Sequence, residues 1–337
     1  MGKRKFWLPL AALWSSIALL LVVSLGLAGA ATQGGNGLRV SPVRTDLTIS
    51  PGQSATVPIT VTNITTVAAS LQAIVNDFTA SSNESGDPAL ILGTNQYAPS
   101  HSLKRYIGPL SNVSLEPGQS AVVPVVITIP ANTAGGGYYG AVRFAPASSG
   151  GTGQTVSLAG SVGSLIIVTV PGNIINNLNI ASFGATTSSL ANTSTGHSSS
   201  FFTSNKNIDV VVRFQNQGNI QEAPFGKILL NTHSGKTLST ATINTSQPPG
   251  NVLPASIRRF SVPISHIGSF GIFKLIGNFG YGSNGQLLSA TTTIYVIPVF
   301  AVIAIVLIIV LILFLIFVLP RLLRAYNRRI IRQSRRR

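Results

Sequence analysis

The chain has 337 residues, no cysteine, and 23 lysines and arginines against 7 acids. Without a thiol it has no disulfide framework, no zinc-thiolate centre and no cysteine nucleophile, so packing alone must hold it. The net charge of +16 does not mark a nucleic-acid binder: three basic residues fall within the first five positions and eight follow Leu319, leaving twelve spread thinly between, where nucleic acid would need a dense patch.

In chain order, residues 1–31 open with Lys3-Arg4-Lys5, continue as an apolar stretch to Leu27 and close on Ala28-Gly29-Ala30-Ala31. That succession of charge, apolar run and small residues predicts a secretory signal and an exported remainder. Apolar and polar residues then alternate from Leu47 to Asn63 on both sides of Pro51-Gly52, and again from Val113 to Pro130 around Pro117-Gly118. Alternation rich in Val, Ile and Thr predicts half-buried strands, and the two Pro-Gly-Gln-Ser segments predict hairpins within one sandwich. Ala68–Phe78, Tyr138–Phe144 and Leu165–Val170 read as further strands, and 79–102 as a long polar loop. The pattern predicts an immunoglobulin-like sandwich over 37–171.

A second β-sandwich is predicted over 172–295, from strand signals at Gly172–Phe183, Ile208–Phe214, Lys227–Leu230, Ser256–Ile264, Phe273–Phe279 and Gln286–Tyr295. Its Ser/Thr-rich tract, 186–205, is expected to be a mobile loop. No amphipathic helix precedes Val299. From Val299 to Leu319 run 21 uncharged residues, enough at about 1.5 Å each for the roughly 30 Å core of a bilayer. A transmembrane helix is therefore expected over 296–319. A basic tail, 320–337, follows, and its Arg321, Arg324, Arg328 and Arg329 flank the membrane. The positive-inside rule puts that tail in the cytoplasm and the ectodomain outside. The expected fold class is all-β: two immunoglobulin-like sandwiches in tandem plus one C-terminal transmembrane helix.

Residues that carry chemistry are sparse. His101, His197, His233 and His266 lack metal-ligand spacing, the acids are scattered, and Gly160–Ser164 does not form a nucleophile elbow. The chain is not read as an enzyme, and no cofactor or metal is expected. Asn83-Glu84-Ser85-Gly86-Asp87 offers oxygen ligands but only two carboxylates, and reads as a solvated polar loop rather than a calcium site. Asn63, Asn83, Asn112, Asn192 and Asn244 each head a glycosylation sequon. The best candidate contact surface is Gly136-Gly137-Tyr138-Tyr139-Gly140. Tyrosine pairs a flat apolar face with a hydroxyl that suits sugars and peptide stems. Strand alternation puts Tyr138 and Tyr139 on opposite faces, so at most one is a surface contact. The competing reading is a core tyrosine beside glycines that ease a bend.

Ser41-Pro42, the Pro51-Gly52-Gln53-Ser54 turn leading to Val61-Thr62-Asn63, Pro117-Gly118-Gln119-Ser120 and Gly136–Val142 together resemble the WxL-interacting proteins of Gram-positive cell surfaces. In the second half Phe214–Asn219, Pro224–Gly226, Leu253-Pro254 and Tyr281-Gly282 are similar, though less specific. The resemblance spans Leu38 to Arg337. It implies a peptidoglycan-binding first domain, a second domain that contacts host or matrix components, and a C-terminal anchor. The expected function is a membrane-anchored surface module that binds peptidoglycan or a partner surface protein non-covalently. Two rivals stand beside it. One is an envelope assembly factor that offers a sheet edge to client strands, which a free, long, hydrophobic edge would favour. The other, a wall-polysaccharide enzyme, would need a concave cluster of carboxylates.

Overall fold

The computed structural model describes residues 37–147, 161–191 and 198–323. The expected signal segment lies outside them, as do Arg324, Arg328 and Arg329 of the basic tail. Alternation writes the strands: along Ser120–Thr128, Val123, Val125 and Ile127 are buried while Val122, Pro124 and Val126 turn outward.

In the first sandwich one sheet is built from β1 (Leu38–Ser41), β3 (Ser54–Asn63) and β7 (Ser120–Thr128), in the order β1-β3-β7. The facing sheet runs β2 (Arg44–Thr48), β9 (Val162–Val170), β8 (Gly136–Pro146), β4 (Ala69–Ala80) and β5 (Pro88–Ile91), with β6 (Val113–Leu115) on the start of β4. β2 joins β9 in parallel and the other pairs are antiparallel. Ile59, Leu71, Ile127, Phe144 and Ile166 fill the space between the sheets.

The second sandwich repeats the plan. β10 (Leu178–Thr187), β12 (Ile208–Asn216) and β15 (Ser256–Pro263) form one sheet. The other runs β11 (Phe201–Phe202), β17 (Gln286–Val296), β16 (Gly271–Tyr281), β13 (Phe225–Thr232) and β14 (Thr237–Ile243), with β11 parallel to β17. Phe214 meets Phe279 edge-on at 5.2 Å in its core. The fold is all-β, two immunoglobulin-like sandwiches in tandem followed by one apolar helix. That helix, α1 (Val299–Leu313), continues through a π turn (Phe314–Val318). The whole stretch Val299–Leu323 has 25 residues, a mean hydropathy of 3.9 and no buried part, so it is long and apolar enough to cross a membrane.

The structure corrects three expectations. The Pro-Gly turns are not hairpins: β2 and β3 belong to different sheets, as do β6 and β7. Each turn is closed by a hydrogen bond, Gln53 N–H to Ser50 O and Gln119 N–H to Glu116 O, with Gly52 and Gly118 at φ 79° and 77°. These are type II turns, but they carry the chain across the core; alternation identifies a strand without naming its partner. The polar loop 79–102 contains β5. The Ser/Thr tract contains β11, and Ser199 N–H bonds Ala185 O; its residues 192–197 lie outside the described ones.

Candidate functional site at the domain joint

β8 opens on Gly136 and Gly137, and the loop after β12 lies directly against them. Gly137 N–H donates to the Asn219 carbonyl at 2.8 Å, while Asn219 Nδ2 reaches the carbonyls of Gly135 and Asn173 at 3.1 and 2.8 Å. A Cβ on Gly136 would stand 2.9 Å from Asn219 O, and one on Gly137 2.6 Å from Gln221 Oε1. Gly136 needs glycine because the Asn219 backbone approaches that closely, and Gly137 because the Tyr139 hydroxyl and the Gln221 side chain fill the space. A Cβ on Gly140 would already press on Leu103 at 3.1 Å.

The tyrosines do face opposite ways. Tyr138 packs on the first core, its hydroxyl donating to Ala134 O at 2.9 Å and its ring edge-on to Tyr106. Tyr139 points toward the second sandwich and is only 3% exposed, packed with Phe78, Ala141, Ile167 and Leu253. Its hydroxyl donates to Gln221 Oε1 at 3.0 Å, and burial pushes it above the usual phenol range. The stretch read as a contact surface is therefore a joint: Tyr139 is closed off and Tyr138 half-buried.

A second strap comes from the β4–β5 loop. Glu84 accepts from Arg213 Nε at 2.6 Å and from Arg213 Nη2, and lies 3.6 Å from Arg259 Nη2. Its backbone carbonyl also takes the Arg259 N–H at 2.9 Å. The Arg213 hydrogen bonds hold the Glu84 carboxyl below its ordinary value. Within the Asn83–Asp87 tract Asn83, Ser85 and Asp87 are exposed, as expected of a polar loop, but its central acid is used to bind the other domain.

Between the two straps is a cleft. Phe78, Leu165, Ile167 and Leu253 give it apolar walls, and Arg44 and Arg258 enter from opposite domains around a cavity of about 60 Å³. Arg44 is paired with Asp46 at 2.7 Å and donates to Pro249 O. Arg258 donates from Nη1 to Asn251 O at 2.8 Å and lies 5.1 Å from the Phe260 ring. Its buried Nε has no acceptor among the described residues, a deficit that costs roughly 1–3 kcal/mol or is met by something bound. Sequence reasoning passed over both arginines; isolated basic residues 214 positions apart leave no local signal, and only the topology joins them.

Glu222 lies in the same joint loop, 3% exposed, with Oε1 unpaired among the described residues. Burial raises its pKa to about 7. Asp77 is wholly buried and accepts from Ala98 N–H, Lys104 N–H and the Ser102 hydroxyl, pinning the loop before β6. Asn63, a sequon residue, is also wholly buried, its Nδ2 donating to Val67 O and Leu115 O; in the folded chain it is closed to modification. Among the described residues no three His, Cys, Asp or Glu stand together as a metal set. Arg321 is exposed and donates to Phe317 O.

No known protein family matches the chain, and no curated protein matches it. Among solved structures it is similar to the class 5 fimbriae chaperone CfaA, at 13% identity and a TM-score of 0.38 over 76% of this chain and 99% of that one. It is also similar to the E. coli chaperone DraB, at 12% identity and 0.35 over 77% and 96%. A third is the SafB chaperone, solved in complex with the pilin SafA from Salmonella enterica, at 11% and 0.34 over 77% and 96%. The fold assignment stands on the chain's own strand order.

Proposed function

We propose that this chain is a membrane-tethered binding module of the cell exterior that engages a partner polypeptide non-covalently at the cleft between its sandwiches. The observation that carries this reading is the cleft itself, a cavity of about 60 Å³ where Phe78, Leu165, Ile167 and Leu253 meet the guanidinium-bearing side chains of Arg44 and Arg258. A cavity of that size admits one short side chain or a chain end; whole small-molecule sites run to roughly 300–1,000 Å³. A polypeptide supplies such a group with an acceptor, and a wall disaccharide is too large to enter. The ectodomain outside and the basic tail inside follow from the arginines after the apolar helix.

A second reading, an assembly factor that pairs with a client strand, is favoured by β7. It is an outer strand of nine residues that shows Val122 and Val126 to solvent. Against it, Pro124 removes an N–H at the centre, and Gly108 N–H already takes the Val126 carbonyl.

A photo-crosslinking residue placed at Leu253, Val126 or Leu287 of the full chain in intact cells tests the two. Crosslinks from Leu253 to a single polypeptide segment, lost when Arg258→Met is added, are the expected result. Crosslinks from Val126 alone would transfer the function to the strand edge. Crosslinks from Leu253 to wall glycan would replace the partner.

A further inference from the structure

The end of the second sandwich beside α1 carries its own surface. β17 ends at Val296, and only Ile297 and Pro298 separate it from Val299. The three Cα–Cα steps from Val296 to Val299 reach at most about 11 Å. The polar layer on each side of a bilayer is about 5–8 Å thick, half the difference between the full and hydrocarbon thicknesses. With Val299 at the edge of the hydrocarbon, the last pairs of this sheet stand within that layer or at its outer border.

Beside the buried pair of Val296 and Phe202, the neighbouring row is open and largely apolar. Phe201, Tyr295 and Ile272 lie side by side across three neighbouring strands, Phe201 and Ile272 each paired with Tyr295. Phe201 stacks on Tyr295 at 5.0 Å and 18° between planes, yet is 68% exposed; Ile272 is 43% exposed, and Phe270, just before β16, 66%. A single exposed aromatic needs no explanation, but a continuous row on one end does. Around it Lys206, Lys236 and Lys274 are exposed. Of this sandwich's two acids, Glu222 lies at the opposite end, and Asp209 is half-buried, accepting the hydroxyls of Ser188 and Ser261. Aromatic rings with lysines around them are the composition that settles at headgroup depth, where the ring is out of water and the ammonium meets phosphate.

We propose that the Phe201–Tyr295–Ile272 row, with Phe270, is a membrane-interface surface that seats the second sandwich in the headgroup layer of the bilayer holding α1. The inference rests on the reading that α1 crosses that bilayer. The sandwich is then held upright by two attachments, the helix and this row, so that the cleft keeps one orientation to the membrane.

The two tryptophans of the chain, Trp7 and Trp14, are first replaced by phenylalanine in the full chain, which is then reconstituted in phospholipid nanodiscs. Single tryptophans are introduced as Phe201→Trp, Phe270→Trp, Leu287→Trp or Ile309→Trp. Lipids brominated near the headgroup or near the chain end quench neighbouring tryptophan. Headgroup-side bromine is expected to quench Phe201→Trp and Phe270→Trp by at least about twofold while leaving Leu287→Trp, at the far end of the sandwich, unchanged. Ile309→Trp should respond to the deep bromine. Quenching at 201 and 270 no greater than at 287, with 309 quenched, overturns the interface surface and leaves the spanning helix standing. Loss of deep quenching at 309 overturns the spanning helix and the proposal with it.

Discussion

The two sandwiches share one strand plan and one corner, and differ in what is set on that corner. Asn63 ends β3 and Asn216 ends β12; both are fully buried. Asn63 Nδ2 donates to Val67 O and Leu115 O, and Asn216 Nδ2 donates to Ile220 O and Val252 O. Each Oδ1 takes a backbone N–H two residues on, from Thr65 and from Gly218. The corner lies at the same end of each sandwich, away from α1. In the second it launches Asn219, Gln221 and Glu222 into the joint. In the first the same loop carries Ile64 and Val67 into solvent, Val67 66% exposed. An identical fold element is thus a structural clamp in one copy and a free tip in the other, and the difference lies in its loop residues alone.

The strongest way to break the comparison is to remove the corner. Asn63→Ala and Asn216→Ala each remove at least three hydrogen bonds made by a wholly buried side chain, and each should cost about 3 kcal/mol of stability. Denaturant unfolding of the full chain in detergent measures both. A near-neutral result at either site would show that the shared geometry is not shared energetics.

Next is Glu222, which has no counterpart acid in the first sandwich's loop. Its pKa is raised from 4.5 to about 7 in the fold, so the folded state holds the proton longer than the unfolded chain. Stability contributed by the protonated form is full below about 4.5 and is lost as pH rises towards 7, on the order of 2–3 kcal/mol in all. Glu222→Gln should remove that slope and raise the melting temperature at pH 8. An unchanged slope between pH 4.5 and 7 would contradict the assignment.

Glu84 has the opposite sign. Arg213 lowers its pKa, so its contribution is present above about 4.5 and fades as pH falls through the lower folded value. Glu84→Gln should cost about 1–2 kcal/mol near neutrality and separate the unfolding of the two sandwiches into distinct transitions. A single unshifted transition would mean the joint does not depend on that strap. The smallest effect belongs to the free tip: Val67→Ser should move stability by no more than about 0.5 kcal/mol, read in the same melts.

Fold class was legible because alternation and turn residues are local properties. Leu47–Asn63 and Gln286–Tyr295 advertise strands within a few residues, and the apolar run after Pro298 advertises its length. Pairing was not legible, since Pro51-Gly52 has the same chemistry whether it closes a hairpin or crosses between sheets. β11 was hidden in a Ser/Thr tract because it is only two residues long and gains its place from Tyr295 and Val296. At the site, Gly136–Gly140 stood out in the sequence as a place where a ligand could come close, and the group that comes close in the fold is Asn219–Gln221 of the same chain. Arg44, Arg213 and Arg258 gave no signal, and Glu84 stood out only as an oxygen ligand in a polar loop, for each acquires its role from a residue far away in sequence.

The buried-asparagine corner also gives the pair of sandwiches a direction of growth. Each sandwich turns its corner loop away from the helix, and the loop of one copy already serves as the seat for the glycine edge of the next. A further sandwich with a Gly-Gly strand start would meet on the outer end of the first the same asparagine corner but Ile64 and Val67 where the second offers Asn219 and Gln221, so stacking another domain would ask for a change in that loop and not in the core.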